Sequence, residues 1–217
     1  MRRVLLVLLL LALALAAGCG GDDDEATPPV GEGCEDVEAP DARDDDDNQL
    51  PARGLDFTKT WALVFDTSCG SFTVTLDEEG APNTSASLVR LAESEYFDDT
   101  IIHRIVPDFV IQGGDPTQTG TGGPGYKTVD PPPEGTAYTK GVVAMAKTLA
   151  EAPGTAGSQF FVVTADEAPL TPDYAVVGEV TEGLDVVELI GTLGGPDELP
   201  TRTVLVETVT VSETPAD

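Results

Sequence analysis

The chain of 217 residues has one histidine, three cysteines and only 11 Lys and Arg against 39 Asp and Glu. Each scarcity removes a class of function. A lone His103 leaves no His-rich zinc site. A serine hydrolase would have to depend on it, and no G-x-S-x-G elbow occurs. A formal charge of −28 argues against nucleic acid and anionic lipid surfaces, because binding phosphate needs clustered Lys and Arg. No apolar run reaches the roughly 20 residues of a membrane span. The Gly-rich run Gly120-Thr121-Gly122-Gly123-Pro124-Gly125 lacks the GK[ST] ending of a P-loop, and Pro124 removes a backbone donor. That run reads as a shaped loop at the rim of a site. No metal and no cofactor is expected.

What the chain does have begins with a positive Met1-Arg2-Arg3 and an almost pure Leu/Ala run from Val4 to Ala17. The run is too short to span and about right for a secretory signal. Ala16-Ala17-Gly18-Cys19 follows and resembles a bacterial lipobox, with Ala16 where Leu is commoner. The resemblance implies a signal peptide over residues 1–18 and a lipidated Cys19. An ordinary signal peptide cut near Gly18 is the alternative. Both readings place the mature protein outside the cytoplasm, and the lipobox reading tethers it to a bacterial cell membrane. Thirteen acids lie between Asp22 and Asp47, with Arg43 the only base among them. Such a stretch buries too little to offset its ordering entropy, so residues 19–53 read as a disordered acidic spacer. A specific calcium site is disfavoured, since the run lacks the Gly and terminal Glu of a D-x-[DN]-x-[DN]-G loop.

Residues 54–217 are enough for one domain with a sizeable core. It remains acidic, with 26 acids and 8 bases from Pro51 onward. If Cys19 is lipidated, Cys34 and Cys69 remain. They can pair in an oxidising compartment or stay free.

Along the domain, Trp61–Phe65 and Phe72–Leu76 flank turn residues and suggest a hairpin. Asn83 or Thr84 can cap a helix to about Glu95, with Leu88, Leu91 and Ala92 on one stripe. The stretch from Ile101 reads as two apolar strands joined at Val106-Pro107-Asp108. Further strands read at Val142–Ala146, Ser158–Thr164, Ala175–Val180 and Thr203–Val211, with a second helix from Gly183 to about Leu193. Eight strands and two well-separated helices make a closed barrel the natural arrangement, because closure removes exposed edges.

The stretch Ile101–Asp115 carries the chemistry: one guanidinium, Arg104, one aromatic, Phe109, and one amide, Gln112, with no acid–base pair. That inventory suits a site that grips backbone carbonyls and an apolar side chain. Together, His103-Arg104, Phe109-Val110-Ile111-Gln112-Gly113-Gly114-Asp115, Met145-Ala146 and Gly157-Ser158-Gln159-Phe160-Phe161 resemble the cyclophilin family of peptidyl-prolyl isomerases. The resemblance covers roughly Thr60 to Val211. It implies an eight-stranded antiparallel barrel with two capping helices, and catalysis of rotation about X-Pro bonds. Arg104 matches the catalytic arginine. Phe109, Val110 and Phe161 match the wall of the proline pocket, and Gln112 and Gln159 match amides beside the substrate backbone. Ala146 matches the residue whose backbone pairs with the peptide, and Leu170 matches a rim position. Pro169 stands where many members have Trp, and Tyr174 where many have His. These departures keep a second reading open, a proline-peptide binding module or holdase with little turnover. Proline-containing polypeptides are the implied partners, and a monomer the implied state.

Overall fold

A computed structural model of the chain describes residues 33–216. The expected signal segment and Cys19 lie outside the described residues. Gly33–Asp217 forms one compact unit.

The chain runs β1 (Lys59–Thr67), β2 (Gly70–Leu76), α1 (Pro82–Glu93), β3 (Thr100–Ile101), β4 (Arg104–Val106) and β5 (Val110–Gly113). It continues through β6 (Thr128–Val129), β7 (Tyr138–Thr139), β8 (Val142–Met145), β9 (Thr155–Ala156) and β10 (Phe160–Val163). It ends with β11 (Glu167–Ala168), β12 (Val176–Glu182), α2 (Leu184–Gly191) and β13 (Leu205–Pro215). Nine strands form one antiparallel sheet in the order β3-β13-β1-β2-β12-β8-β10-β5-β4. Two short pairs, β6 with β9 and β7 with β11, lie outside it. Among the described residues no helix is long and apolar enough to cross a membrane.

The expectation of a closed eight-stranded barrel is corrected here. The fold is mainly β with two helices, but the sheet is curled and open, and it has nine strands. The extra strand arises because the run from Ile101 is split between the two sheet edges. β3 pairs with β13, whereas β4 pairs with β5. The amide of Ile102 donates to Val204 O at 3.0 Å, and the next amide, His103, donates to Gln112 O at 3.0 Å. Consecutive residues are thus bonded to opposite edges, and no ladder joins β3 to β4.

Strand alternation sorts the side chains between two faces. Leu63, Phe65, Phe72, Val74, Ile111, Met145 and Phe160 join the main core with Leu88 and Leu91 of α1 and Val187 and Ile190 of α2. Phe65 and Phe72, cross-strand partners, stack with centroids 4.7 Å apart. Their sequence neighbours turn the other way. Val110, Ala144, Phe161 and Val163 form a second cluster with Tyr138 and Ala168. The candidate site is built on that second cluster.

Neither Asn83 nor Thr84 caps α1. The N-cap is Ala81, and Pro82 opens the helix, where its missing N–H leaves no orphan donor. The Asp130 carboxylate serves instead. It accepts from the Thr84 amide at 2.7 Å, the Thr84 hydroxyl at 2.6 Å and Asn83 Nδ2 at 2.8 Å. α2 starts after Gly183, whose φ of 72° and close approach to Ser71 O (2.3 Å from a Cβ placed there) leave no room for a side chain.

Residues 33–53 have no helix or strand, and they lie against the domain at defined points. Cys34, itself buried, is bonded to Cys69. The Glu35 amide donates to Ser68 O at 2.7 Å, the Arg43 amide to Pro116 O at 3.0 Å, and Gln118 Nε2 to Pro40 O at 2.8 Å. Residues 33–53 thus group with the rest of the Gly33–Asp217 unit. A covalent tie limits the freedom that the charged composition alone would leave.

Candidate active site

Arg104 and Gln112 are directly opposite each other across β4 and β5, so their side chains share a face. Arg104 Nη1 donates to Gln112 Oε1 at 3.3 Å. Gln112 Nε2 donates to Gln159 Oε1 at 3.0 Å, and Gln159 Nε2 donates to Gly122 O at 2.9 Å. A relay of amides therefore runs from the guanidinium to the Gly-rich loop.

That loop is shaped by Asp115, the last residue of the Ile101–Asp115 stretch. Its carboxylate accepts from the Thr117 amide (2.8 Å) and hydroxyl (2.7 Å), and from the amides of Gly120 (2.7 Å) and Gly122 (3.1 Å). Burial pushes the Asp115 pKa up, but the hydrogen bonds from Thr117, Gly122 and Gly120 outweigh it and the net direction is down. The charge is consumed in holding the loop, so Asp115 is an architectural carboxylate.

The apolar wall comes from several elements. Phe109 ends a tight turn in which Asp108 takes φ 55° and the Phe109 amide donates to Val106 O at 3.1 Å. Phe161 lies opposite Gln112 on β10. Tyr174 meets Phe161 edge-on, with centroids 5.5 Å apart and planes at 85°. Tyr138 pins it: its hydroxyl donates to Tyr174 O at 2.8 Å and accepts from the Tyr174 amide at 3.0 Å. The Ala146 amide is taken up by Gln159 O at 2.8 Å, so the backbone group Ala146 has left for a peptide is its carbonyl.

Arg104, Phe109, Val110, Gln112, Ala146, Phe161, Leu170 and Tyr174 all line one cavity of about 230 Å³. Gln159 lines the adjoining hollow of about 200 Å³, which it shares with Gln112, Ala146 and the Gly-rich loop. A larger open groove of about 580 Å³ lies between residues 48–55 and α1, but none of these residues borders it.

Two participants were not legible in the sequence. Lys147 also lines the cavity. Its side chain is 1% exposed, and Nζ lies 2.5 Å from Asp173 Oδ2 and 5.4 Å from the Tyr174 ring centre. Only its position beside Ala146 could have pointed to it. Glu198 Oε2 lies 2.7 Å from Arg104 Nε, across 94 residues of chain, and belongs to no motif. His103 is buried on the opposite side of β4 from Arg104, and neither ring nitrogen has a hydrogen-bond partner among the described residues. Burial holds its pKa below 6.5. It is a core residue.

A fixed donor, a row of amides and an apolar hollow can bind a small ring with its flanking carbonyls. No Ser, Thr, Cys or His is among the described residues that line the cavity.

Known proteins share this construction. Residues 62–211 match the family model for "Cyclophilin type peptidyl-prolyl cis-trans isomerase/CLD". The chain is 42% identical over 133 residues to "Peptidyl-prolyl cis-trans isomerase-like 1" of Aspergillus fumigatus, covering 59% of this chain and 81% of the relative. It is 35% identical over 159 residues to the protein of the same name from Gibberella zeae, covering 71% and 96%. A crystal structure of a cyclophilin type peptidyl-prolyl cis-trans isomerase from Cryptosporidium parvum superposes with a TM-score of 0.65 at 26% identity, over 72% of this chain and 99% of that one. The same Cryptosporidium protein, crystallised in the presence of the dipeptide Ala-Pro, superposes with a TM-score of 0.64, over 70% and 98%. By motif, topology and kinship, the chain belongs to the cyclophilin family and is a peptidyl-prolyl cis-trans isomerase.

Proposed function

We propose that this isomerase works outside the cytoplasm, as a monomer tethered through lipid on Cys19, on X-Pro bonds of secreted or envelope polypeptides. The Cys34–Cys69 bond carries the reading, because such bonds persist in oxidising compartments and are rare in the cytosol. The signal-like start and Cys19 agree with it. Mass spectrometry of the mature N-terminus in the native host, with membrane fractionation of Cys19→Ala, is the test. A lipid-modified Cys19 and release of the variant from the membrane are expected. An intact Met1 and an unchanged distribution would overturn the location.

At the site, Arg104 is the proposed catalytic residue. Rotating an X-Pro bond passes through a twisted amide, against a barrier of roughly 18–20 kcal/mol, and no covalent bond breaks. In the twisted state the prolyl nitrogen loses conjugation and gains a lone pair. A guanidinium already oriented by Gln112 donates to that lone pair without reorganising. Phe109, Val110, Phe161, Leu170 and Tyr174 hold the ring while the carbonyl side turns. The donor is engaged more strongly in the twisted state than in either planar one, which is what lowers the barrier.

A further inference from the structure

We propose that Glu198 is a positioning residue for Arg104, holding the guanidinium in the plane that presents its free N–H groups to the prolyl nitrogen. The proposal rests on Arg104 being the donor to the twisted amide.

Arg104 is gripped at two points of its planar fork. Nε donates to Glu198 Oε2 at 2.7 Å, and Nη1 donates to Gln112 Oε1 at 3.3 Å. Two anchors on a rigid plane set its orientation, whereas Gln112 alone would leave it free to pivot. Nη2 has no partner among the described residues and is the donor left over for a ligand.

Glu198 is not a passing surface contact. The amide of Ile105, next to Arg104, donates to Glu198 O at 2.9 Å, so the Glu198 backbone is bonded to the strand that carries the arginine. Its turn is closed by Gly195 N–H to Leu199 O at 2.8 Å and by a bridge between Gly194 and Pro200. A Cβ on Gly194 would fall 2.6 Å from Pro107 Cδ and 2.7 Å from Ile105 O, so the turn seats directly on β4. Glu198 takes φ 65°, a left-handed conformation that a non-glycine residue rarely adopts. The turn thus covers the outer edge of β4, which has no strand partner on that side, and delivers a carboxylate to the catalytic side chain.

The carboxylate could act in two opposing ways. By fixing the fork it assists catalysis, and by sharing the cation's charge it damps it. The side chains are 34% and 53% exposed, so water screens the charge while the hydrogen-bond geometry persists. Orientation should win.

Catalysed cis–trans exchange of an Ala-Pro peptide, followed by NMR, decides between them for the wild type, Glu198→Ala, Glu198→Gln and Arg104→Ala. The expected result is a fall of about tenfold in kcat with little change in KM for Glu198→Ala, less than the about 10²-fold that full misplacement of a catalytic group can cost because Gln112 still holds one point of the fork. Glu198→Gln keeps an acceptor oxygen for Nε and should stay within about threefold of the wild type. The Arg104 Nε–Hε resonance should be sharp in the wild type and Glu198→Gln, and averaged in Glu198→Ala. Equal or faster turnover in Glu198→Ala, with Arg104→Ala inactive, overturns the proposal and leaves the donor assignment standing. Wild-type turnover in Arg104→Ala overturns both. Glu198 is exposed enough that its variants should keep the wild-type melting temperature.

Discussion

Reducing the bond between Cys34 and Cys69 removes a tie between residues 35 apart in sequence. Closing a loop of that length takes about 13 cal/mol/K from the unfolded chain, or about 4 kcal/mol at 25 °C. The native side loses little at the same moment, because residues 33–53 keep backbone and side-chain bonds to Ser68, Pro116, Tyr96 and Gln118. At about 2–4 °C per kcal/mol for a domain of this size, melting should fall by about 8–15 °C. Differential scanning calorimetry with and without a phosphine reductant, and on the Cys34→Ala/Cys69→Ala double variant, reads the shift directly. The two perturbations should agree. Isomerase activity at 25 °C should survive both, since the bond touches none of the residues lining the 230 Å³ cavity. A drop below about 3 °C would refute the reasoning and mean that the unfolded chain gains no freedom from the cut. Loss of activity in a protein that is still folded would mean that the acidic segment, and not only the sheet, shapes the site.

Asp115→Asn removes a charge that four donors converge on. It should cost about 1–3 kcal/mol and slow turnover by loosening the loop that carries Gly122, measurable by urea unfolding and the exchange assay. With the Asp115 pKa lowered on folding, its contribution is present above the unfolded value near 3.9 and is lost as pH falls through the folded value. The variant's stability should therefore depend less on pH in that acid range. His103, the only histidine, should be the one imidazole to titrate in NMR, below 6.5. The unfolded chain then binds its proton first as pH falls, so His103 withdraws stability below about 6.5, and His103→Gln should flatten that part of the profile.

The site was legible where chemistry is local in sequence. Arg104, Phe109, Val110 and Gln112 sit within nine residues on β4, β5 and the tight turn between them, and Gln159 and Phe161 alternate at the start of β10. Short-range patterning is enough to set those on one face. What escaped depends on contacts across long separations. The residues from Ile101 to Val106 look like one strand because four of the six are β-branched and apolar, and only the distant partners Val204 and Gln112 divide them between two edges. The helix start was misplaced for a similar reason: its acceptor, Asp130, lies 46 residues beyond Thr84. Lys147 carries no motif signal, and Asp173 with the carbonyls of Thr148 and Glu151 satisfies its buried ammonium. Residues 19–53 read as a disordered spacer because their composition cannot build a core, and 33–53 are the described part of that stretch. A disulfide and a few backbone bonds are enough to lay them down without one.

The central claim is that an oriented guanidinium, with no acid–base chemistry, lowers the barrier to prolyl rotation. Exchange NMR on an Ala-Pro peptide, with wild-type protein and Arg104→Ala at equal concentration, tests it most directly. The wild type should bring cis–trans exchange well below the tens to hundreds of seconds of the free peptide. Losing a preorganised donor should cost about 10²-fold in kcat, with the peptide still bound in the pocket. Equal turnover by the two proteins, or chemical-shift changes on binding with no exchange in the wild type, would contradict the account.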